Sequence, residues 1–326
     1  MEQDYKRAIR LALEEKRLWI AGLLTAIAMS EAWWIVFGWG PEYLGERWER
    51  AVGDWMGDAA AFAAFILASL ASFVVLRGVG YLGELVLVRQ VADASHGEIP
   101  AFDQAFSSSR RRYVPFAVTL LPWDALRIAL IYLPSLIIIV WDRIDPDLNH
   151  VFLYIAAMFL WFALLIAANF FAGVTAMLAA RSSLLRSEDI PVSWRSGWKL
   201  LRENTGRCLA VWLQVIAADI IFVIIAWPLS ALLPWFAGQV ADPIGFAPAR
   251  WLIHILAWVL LTLGLIVMQT GVQCYRSSLW TITFLALSGV EEERGESSIW
   301  RDEGEEEGNI YPPLTHLPGP PPDFMP

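Results

Sequence analysis

The stretch Asp189-Ile190-Pro191-Val192-Ser193-Trp194-Arg195-Ser196-Gly197-Trp198-Lys199-Leu200-Leu201-Arg202-Glu203-Asn204 decides how the chain is read. Ile190, Trp194, Trp198 and Leu201 recur at helical spacing, while Arg195, Lys199 and Arg202 fall on another face, which describes a short amphipathic helix. An apolar span follows at about 208–233, interrupted by Asp219 and then Pro228. The same order of parts occurs twice upstream. Glu98-Ile99-Pro100 precedes a surface helix near 100–112, the basic cluster Arg110, Arg111 and Arg112, and a span carrying Asp124 and Pro134. At the N-terminus, residues 4–17 form a third amphipathic segment, and Lys16 and Arg17 lead into a span carrying Glu31, with Pro41 beyond. Glu31 and Asp124 are 93 residues apart, Asp124 and Asp219 are 95 apart, and a proline follows each acid nine or ten positions later. Three copies of one unit are therefore expected.

Composition sets the class. Hydrophobic residues make up 57% and charged residues 17% of 326, with mean hydropathy +0.50. A helix needs about 20 apolar residues to cross the hydrocarbon core, and several runs reach that length. The expected fold is all-α: an integral membrane helical bundle of six transmembrane helices, built as three repeated units of amphipathic helix plus two-span hairpin. The spans fall near 18–38, 58–76, 114–141, 151–176, 208–233 and 251–272. Residues 277–290 are apolar but short, and read as a helical extension or an interfacial segment rather than a seventh span. The units are about 1–97, 98–188 and 189–290, and an acidic, proline-rich tail, 291–326, is expected to be disordered.

The tail holds ten acids and two arginines, so most of the net charge of −9 belongs to it. Without a basic excess, nucleic acid is not an expected partner. The tail itself is a candidate to meet a protein partner. Cys208 and Cys274 fall at or near the cytoplasmic ends of spans, where no disulfide is called for. A secretory signal is rejected at the N-terminus, because the apolar run after Arg17 continues through Trp33-Trp34-Ile35-Val36-Phe37 and belongs to the repeat.

Cations fix the orientation. Five Lys/Arg precede the first span, four lie after the second and six after the fourth, against Arg47 and Arg50, then Arg143, then Arg250 in the opposite loops. The positive-inside rule puts both termini in the cytoplasm of a bacterial inner membrane. The cations beside the surface helices, Lys16, Arg17, Arg110, Arg111, Arg112, Arg195, Lys199 and Arg202, are then placed to meet anionic lipid headgroups.

Glu31, Asp124 and Asp219 lie 10 to 13 residues into odd-numbered spans, near the bilayer middle, where a charge faces the protein interior, pairs, or marks a pathway. Arg127 follows Asp124 at i+3 and is its expected partner, while Arg77 beyond the second span is the best partner from elsewhere for the other acids. A buried network holding three hairpins together is the leading reading, and an ion or proton pathway the rival. Repeats that all start with a basic helix run in one direction, whereas inverted repeats mark many transporters.

No His-Glu-x-x-His, Gly-x-Ser-x-Gly or phosphate-cradling glycine loop occurs, so no enzyme, cofactor or metal is expected. The segment Pro191 to Leu209, with its Trp/Arg helix ending in Arg202-Glu203-Asn204 before a span, resembles uncharacterised bacterial multipass proteins, including the membrane region attached to some glycerophosphodiester phosphodiesterases. The phosphodiesterase barrel is missing, so the resemblance implies a membrane location and a lipid-facing or scaffolding role, with no catalytic residue. The expected function is a membrane scaffold or lipid-interacting factor; the alternative is a small transporter or channel using the three acids.

Overall fold

The computed structural model describes residues 2–29, 59–95, 99–144, 151–241, 243–244 and 246–289. Glu31, the aromatic loop over 39–57 and the acidic tail fall outside them. Among the described residues every regular element is helical. In chain order these are α1 (Glu2–Glu14), α2 (Lys16–Met29), α3 (Ala59–Ala94), α4 (Phe102–Ser109) with a 3-10 turn (Arg110–Arg112), and α5 (Tyr113–Ile144). There follow α6 (Val151–Ala168), a π-helical turn (Asn169–Gly173), α7 (Val174–Leu185), α8 (Ile190–Glu203), α9 (Thr205–Ala241) and α10 (Ala247–Ser288).

Among the described residues, four stretches are long and apolar enough to cross a membrane: Phe102–Leu130, Ile155–Leu185, Thr205–Ala241 and Pro248–Ser288. Their surfaces support that reading. Phe152, Phe159 and Leu160 on α6, Ile221 and Ile224 on α9, and Leu252 and Ile255 on α10 are all more than half exposed. Apolar surface on that scale belongs against lipid rather than water.

The interior lies toward one end of the bundle. Residues 84–88 of α3, 178–185 of α7 and 273–285 of α10 are almost continuously buried, polar side chains included, so these segments are enclosed by other helices. The short amphipathic helices do the enclosing. The α1 ring of Tyr5 meets Tyr275 of α10 edge-on at 6.2 Å, and Asp4 accepts a hydrogen bond from Arg207 of α9 at 2.9 Å. The Arg17 guanidinium donates to the Ile99 carbonyl at 2.6 Å, and Gln90 of α3 donates to Pro100 O at 3.0 Å, tying α2 and α3 to the approach to α4. Residues 277–285 are therefore a helical extension packed inside this end, with Leu279, Trp280, Phe284 and Leu285 buried, and not an interfacial segment. The expected loop at 234–250 is shorter than its sequence suggests, because α9 runs through Pro228 and Pro234 to Ala241.

Helix α8 forms where Asp189, in extended conformation, precedes Pro191 in the first turn, a position at which a missing N–H costs nothing. It buries Ser193, Gly197, Leu200 and Leu201 and leaves Trp198 half exposed. The apolar face is thus rotated from the expected Ile190–Trp194–Trp198–Leu201 stripe toward the small residues, because Gly197 lets the helix sit directly on α7. A methyl group there would lie 2.8 Å from Ala179 N and Thr175 O. Backbone cannot give way as a side chain can.

Gly197→Ala should therefore separate α8 from α7 at an overpacking cost of about 1–3 kcal/mol. Thermal unfolding in detergent should show a lower midpoint for this variant than for Ser196→Ala, its less buried neighbour. Equal midpoints would mean that α8 is not seated on α7 through Gly197.

Candidate functional site

Polar groups inside a membrane bundle are costly, so their partners reveal what the bundle is arranged around. Arg181 of α7 has no solvent exposure. Its guanidinium donates to Glu84 Oε1 of α3 at 2.9 Å, to Thr281 Oγ1 of α10 at 3.2 Å, to Ser277 O of α10 at 3.3 Å and to Met177 O of its own helix at 3.0 Å. The Ser277 hydroxyl donates to the same Glu84 oxygen at 3.1 Å. One side chain thus holds α3, α7 and α10 together.

A second cluster joins α3 to α5. Asp124 is buried and accepts a hydrogen bond from the Tyr81 hydroxyl at 2.5 Å, with Arg77 Nη1 at 3.6 Å from the same oxygen. Arg127 has Asp219 of α9 and Arg276 of α10 as electrostatic neighbours, and Asp219 has Arg276 and Arg127 as its own. Arg127, one turn further along the same face of α5 as Asp124, lines the space between α7, α9 and α10.

That space is a cavity of about 260 Å³. Its walls carry Arg127, Arg276, Asp219 and Asn169 among the indoles of Trp123, Trp212 and Trp280. Asp219, Arg127 and Arg276 are neither buried nor exposed, as expected of groups that face a void. A smaller cavity of about 40 Å³ adjoins it, sharing Trp123, Arg127, Met177, Asp219 and Arg276, and adding Arg77, Glu84, Asp124 and Gln269. Gln269 is buried, and its Oε1 has no hydrogen-bond partner among the described residues. Together the two form one charged chamber.

The π-helical turn shapes its wall. A π turn inserts an extra residue into the helical ladder, and such turns are concentrated at functional sites. Here it separates α6 from α7 and presents Asn169 and Gly173 to the larger cavity, while Phe170 stacks edge-on against Trp212 of α9 with ring centres 5.5 Å apart. A methyl group at Gly173 would come to 3.1 Å from the Trp123 ring.

Of the residues expected to form the network, Arg77, Asp124, Arg127 and Asp219 all line the chamber, and Glu31 lies outside the described residues. Arg181, Glu84 and Arg276 were not anticipated as interior groups. A signal for two of them was present: Arg181-Ser182-Ser183-Leu184 recurs as Arg276-Ser277-Ser278-Leu279, 95 residues on, at the spacing that separates Asp124 from Asp219. The surface cations are where the sequence puts them, with Lys16, Arg17, Arg110, Arg111, Arg195, Lys199 and Arg202 exposed and Arg112 partly so. Cys208 and Cys274 are free thiols, both buried. Among the described residues no three His, Cys, Asp or Glu side chains gather as metal ligands. No protein-family model, no curated protein and no solved structure matches the chain.

Removing one member of a buried ion pair leaves the other uncompensated, at about 3–5 kcal/mol, whereas removing both is far milder. Thermal unfolding of Glu84→Leu, Arg181→Leu and the double variant should close a mutant cycle in which the double change is less damaging than Arg181's guanidinium left alone by Glu84→Leu. Additive losses would contradict the pairing.

Proposed function

We propose that the chain is a non-enzymatic, multi-pass protein of a bacterial inner membrane that holds the polar part of an amphiphile in its charged chamber. In this reading it is a lipid-interacting factor rather than an inert scaffold, and its six spans form three consecutive units with both termini in the cytoplasm. The observation that carries the proposal is the position of the larger cavity. It lies among spans read as membrane-crossing, has guanidinium and carboxylate groups in its lining, and reaches Ile166, which is 44% exposed. An amphiphile in the bilayer has a polar group to place there and chains that can remain in lipid.

The resemblance of residues 191–209 to multipass regions attached to some glycerophosphodiester phosphodiesterases suits a lipid-facing role in the same sense. The exposed cations on α2, the 3-10 turn and α8 suit anionic headgroups at the surface, at about 1 kcal/mol each. A second reading, a small transporter, is favoured by one feature: Asp124 and Asp219 line the same smaller cavity. Yet the Asp124 carboxylate is already engaged by Tyr81 and Arg77, which suits a fixed strut better than a site that loads and releases.

Native mass spectrometry on protein extracted in mild detergent should find an amphiphile bound at about one per chain. Ile216→Trp, which places an indole in the cavity wall, should lose that adduct while keeping its helical circular-dichroism spectrum. Wild-type protein without an adduct, or an adduct indifferent to Ile216→Trp, would contradict the proposal.

A further inference from the structure

The chamber also carries a chemical signature for what it holds, and this inference rests on the amphiphile-binding reading above. The larger cavity is lined by two guanidinium groups, Arg127 and Arg276, and one carboxylate, Asp219. Guanidinium recognises phosphate oxygens through paired, charge-assisted N–H donors, and two of them lining one cavity make an anion site. Asp219 sits within electrostatic reach of both. Beside a simple anion it would repel the ligand that the arginines attract, whereas beside a ligand that also carries a cation it becomes a second anchor. The indoles supply the same preference, since Trp212 and Trp280 line the cavity and aromatic rings attract ammonium groups.

Size narrows the choice further. Pockets for drug-sized ligands run to about 300–1,000 Å³, and about 260 Å³ suits a headgroup rather than a whole lipid. The π turn presents Asn169, an uncharged hydrogen-bonding group, to this space, with its amide also donating to Leu165 O at 3.1 Å.

We propose that the chamber between α5, α7, α9 and α10 binds a phosphoammonium ester, with its phosphate on Arg127 and Arg276 and its ammonium between Asp219 and the indoles of Trp212 and Trp280. This is the chemistry of an ethanolamine phospholipid headgroup and of soluble O-phosphoethanolamine. The polar wall gives the site its orientation, and the apolar residues Leu165 and Ile166 lie where the chains of a lipid would continue.

The test is thermal stabilisation of the full chain, purified in detergent and stripped of phospholipid, by three probes: phosphatidylethanolamine, phosphatidylglycerol and O-phosphoethanolamine. Wild-type protein should bind phosphatidylethanolamine about tenfold or more tightly than phosphatidylglycerol, which has the phosphate and lacks the ammonium. Asp219→Asn should abolish that preference. Arg276→Gln should weaken both lipids about tenfold, the loss expected for one charge-assisted hydrogen bond. Tighter binding of the lipid than of O-phosphoethanolamine assigns the bilayer as the source, equal binding assigns a soluble ester, and either upholds the chemistry. Equal affinity of the wild-type protein for the two lipids, or an unchanged preference in Asp219→Asn, overturns it; because the first needs no variant, a failure of Arg276→Gln to fold leaves the test intact. A bound amphiphile of another class in native mass spectra, with no preference among these probes, would overturn this inference and leave the amphiphile reading standing.

Discussion

A guanidinium with no exposure cannot borrow screening from solvent, so its charge must be answered by the groups that touch it. Arg181 is in that position, and its partners come from three helices distant in sequence: Glu84 on α3, Ser277 and Thr281 on α10, and Met177 on α7 itself. Apolar packing between helices surrounded by lipid has little hydrophobic drive, because lipid tails are as apolar as leucine. Directional bonds therefore set which faces meet. Once α3, α7 and α10 are fixed around Arg181, the position of Arg276 on α10 and of Gly173 at the start of α7 follow, and with them two walls of the chamber.

The outer contacts work with this centre. Gly197 and Gly83 allow backbone-close approach of α8 to α7 and of α3 to α2, where a methyl group would meet backbone atoms at 2.8 and 2.7 Å. The Asp4–Arg207 and Arg17–Ile99 bonds then hold the N-terminal helices to later parts of the chain. Asp124 is engaged by Tyr81 and Arg77, and Asp219, Arg127 and Arg276 line the larger cavity beside it.

Much of this was legible in the sequence. The spans carrying Asp124 and Asp219, the helical spacing in α8 and the exposed cations of the surface helices followed from periodicity and from the cost of charge in lipid. The tertiary partners did not all follow: nothing in the spacing around Asp124 reveals that the Tyr81 hydroxyl of α3 donates to it. Arg181 and Arg276 lie beyond the apolar runs, where cations are usually solvated, and only the tertiary enclosure of those helix ends makes them interior. The π turn was equally hidden, since Asn169-Phe170-Phe171-Ala172-Gly173 reads as ordinary helix until α7 must rotate to bring Arg181 inward.

The central claim is that a polar chamber open to small charged molecules lies among the membrane-crossing stretches beside Asn169. The most direct measurement is labelling of a cysteine placed there in the full chain in membranes, using a small charged thiol reagent; the native Cys208 and Cys274 are both fully buried and contribute little background. Asn169→Cys should react readily, and the lipid-facing Ile224→Cys should not. Failure of Asn169→Cys to react, or equal reaction at the two positions, would contradict the chamber.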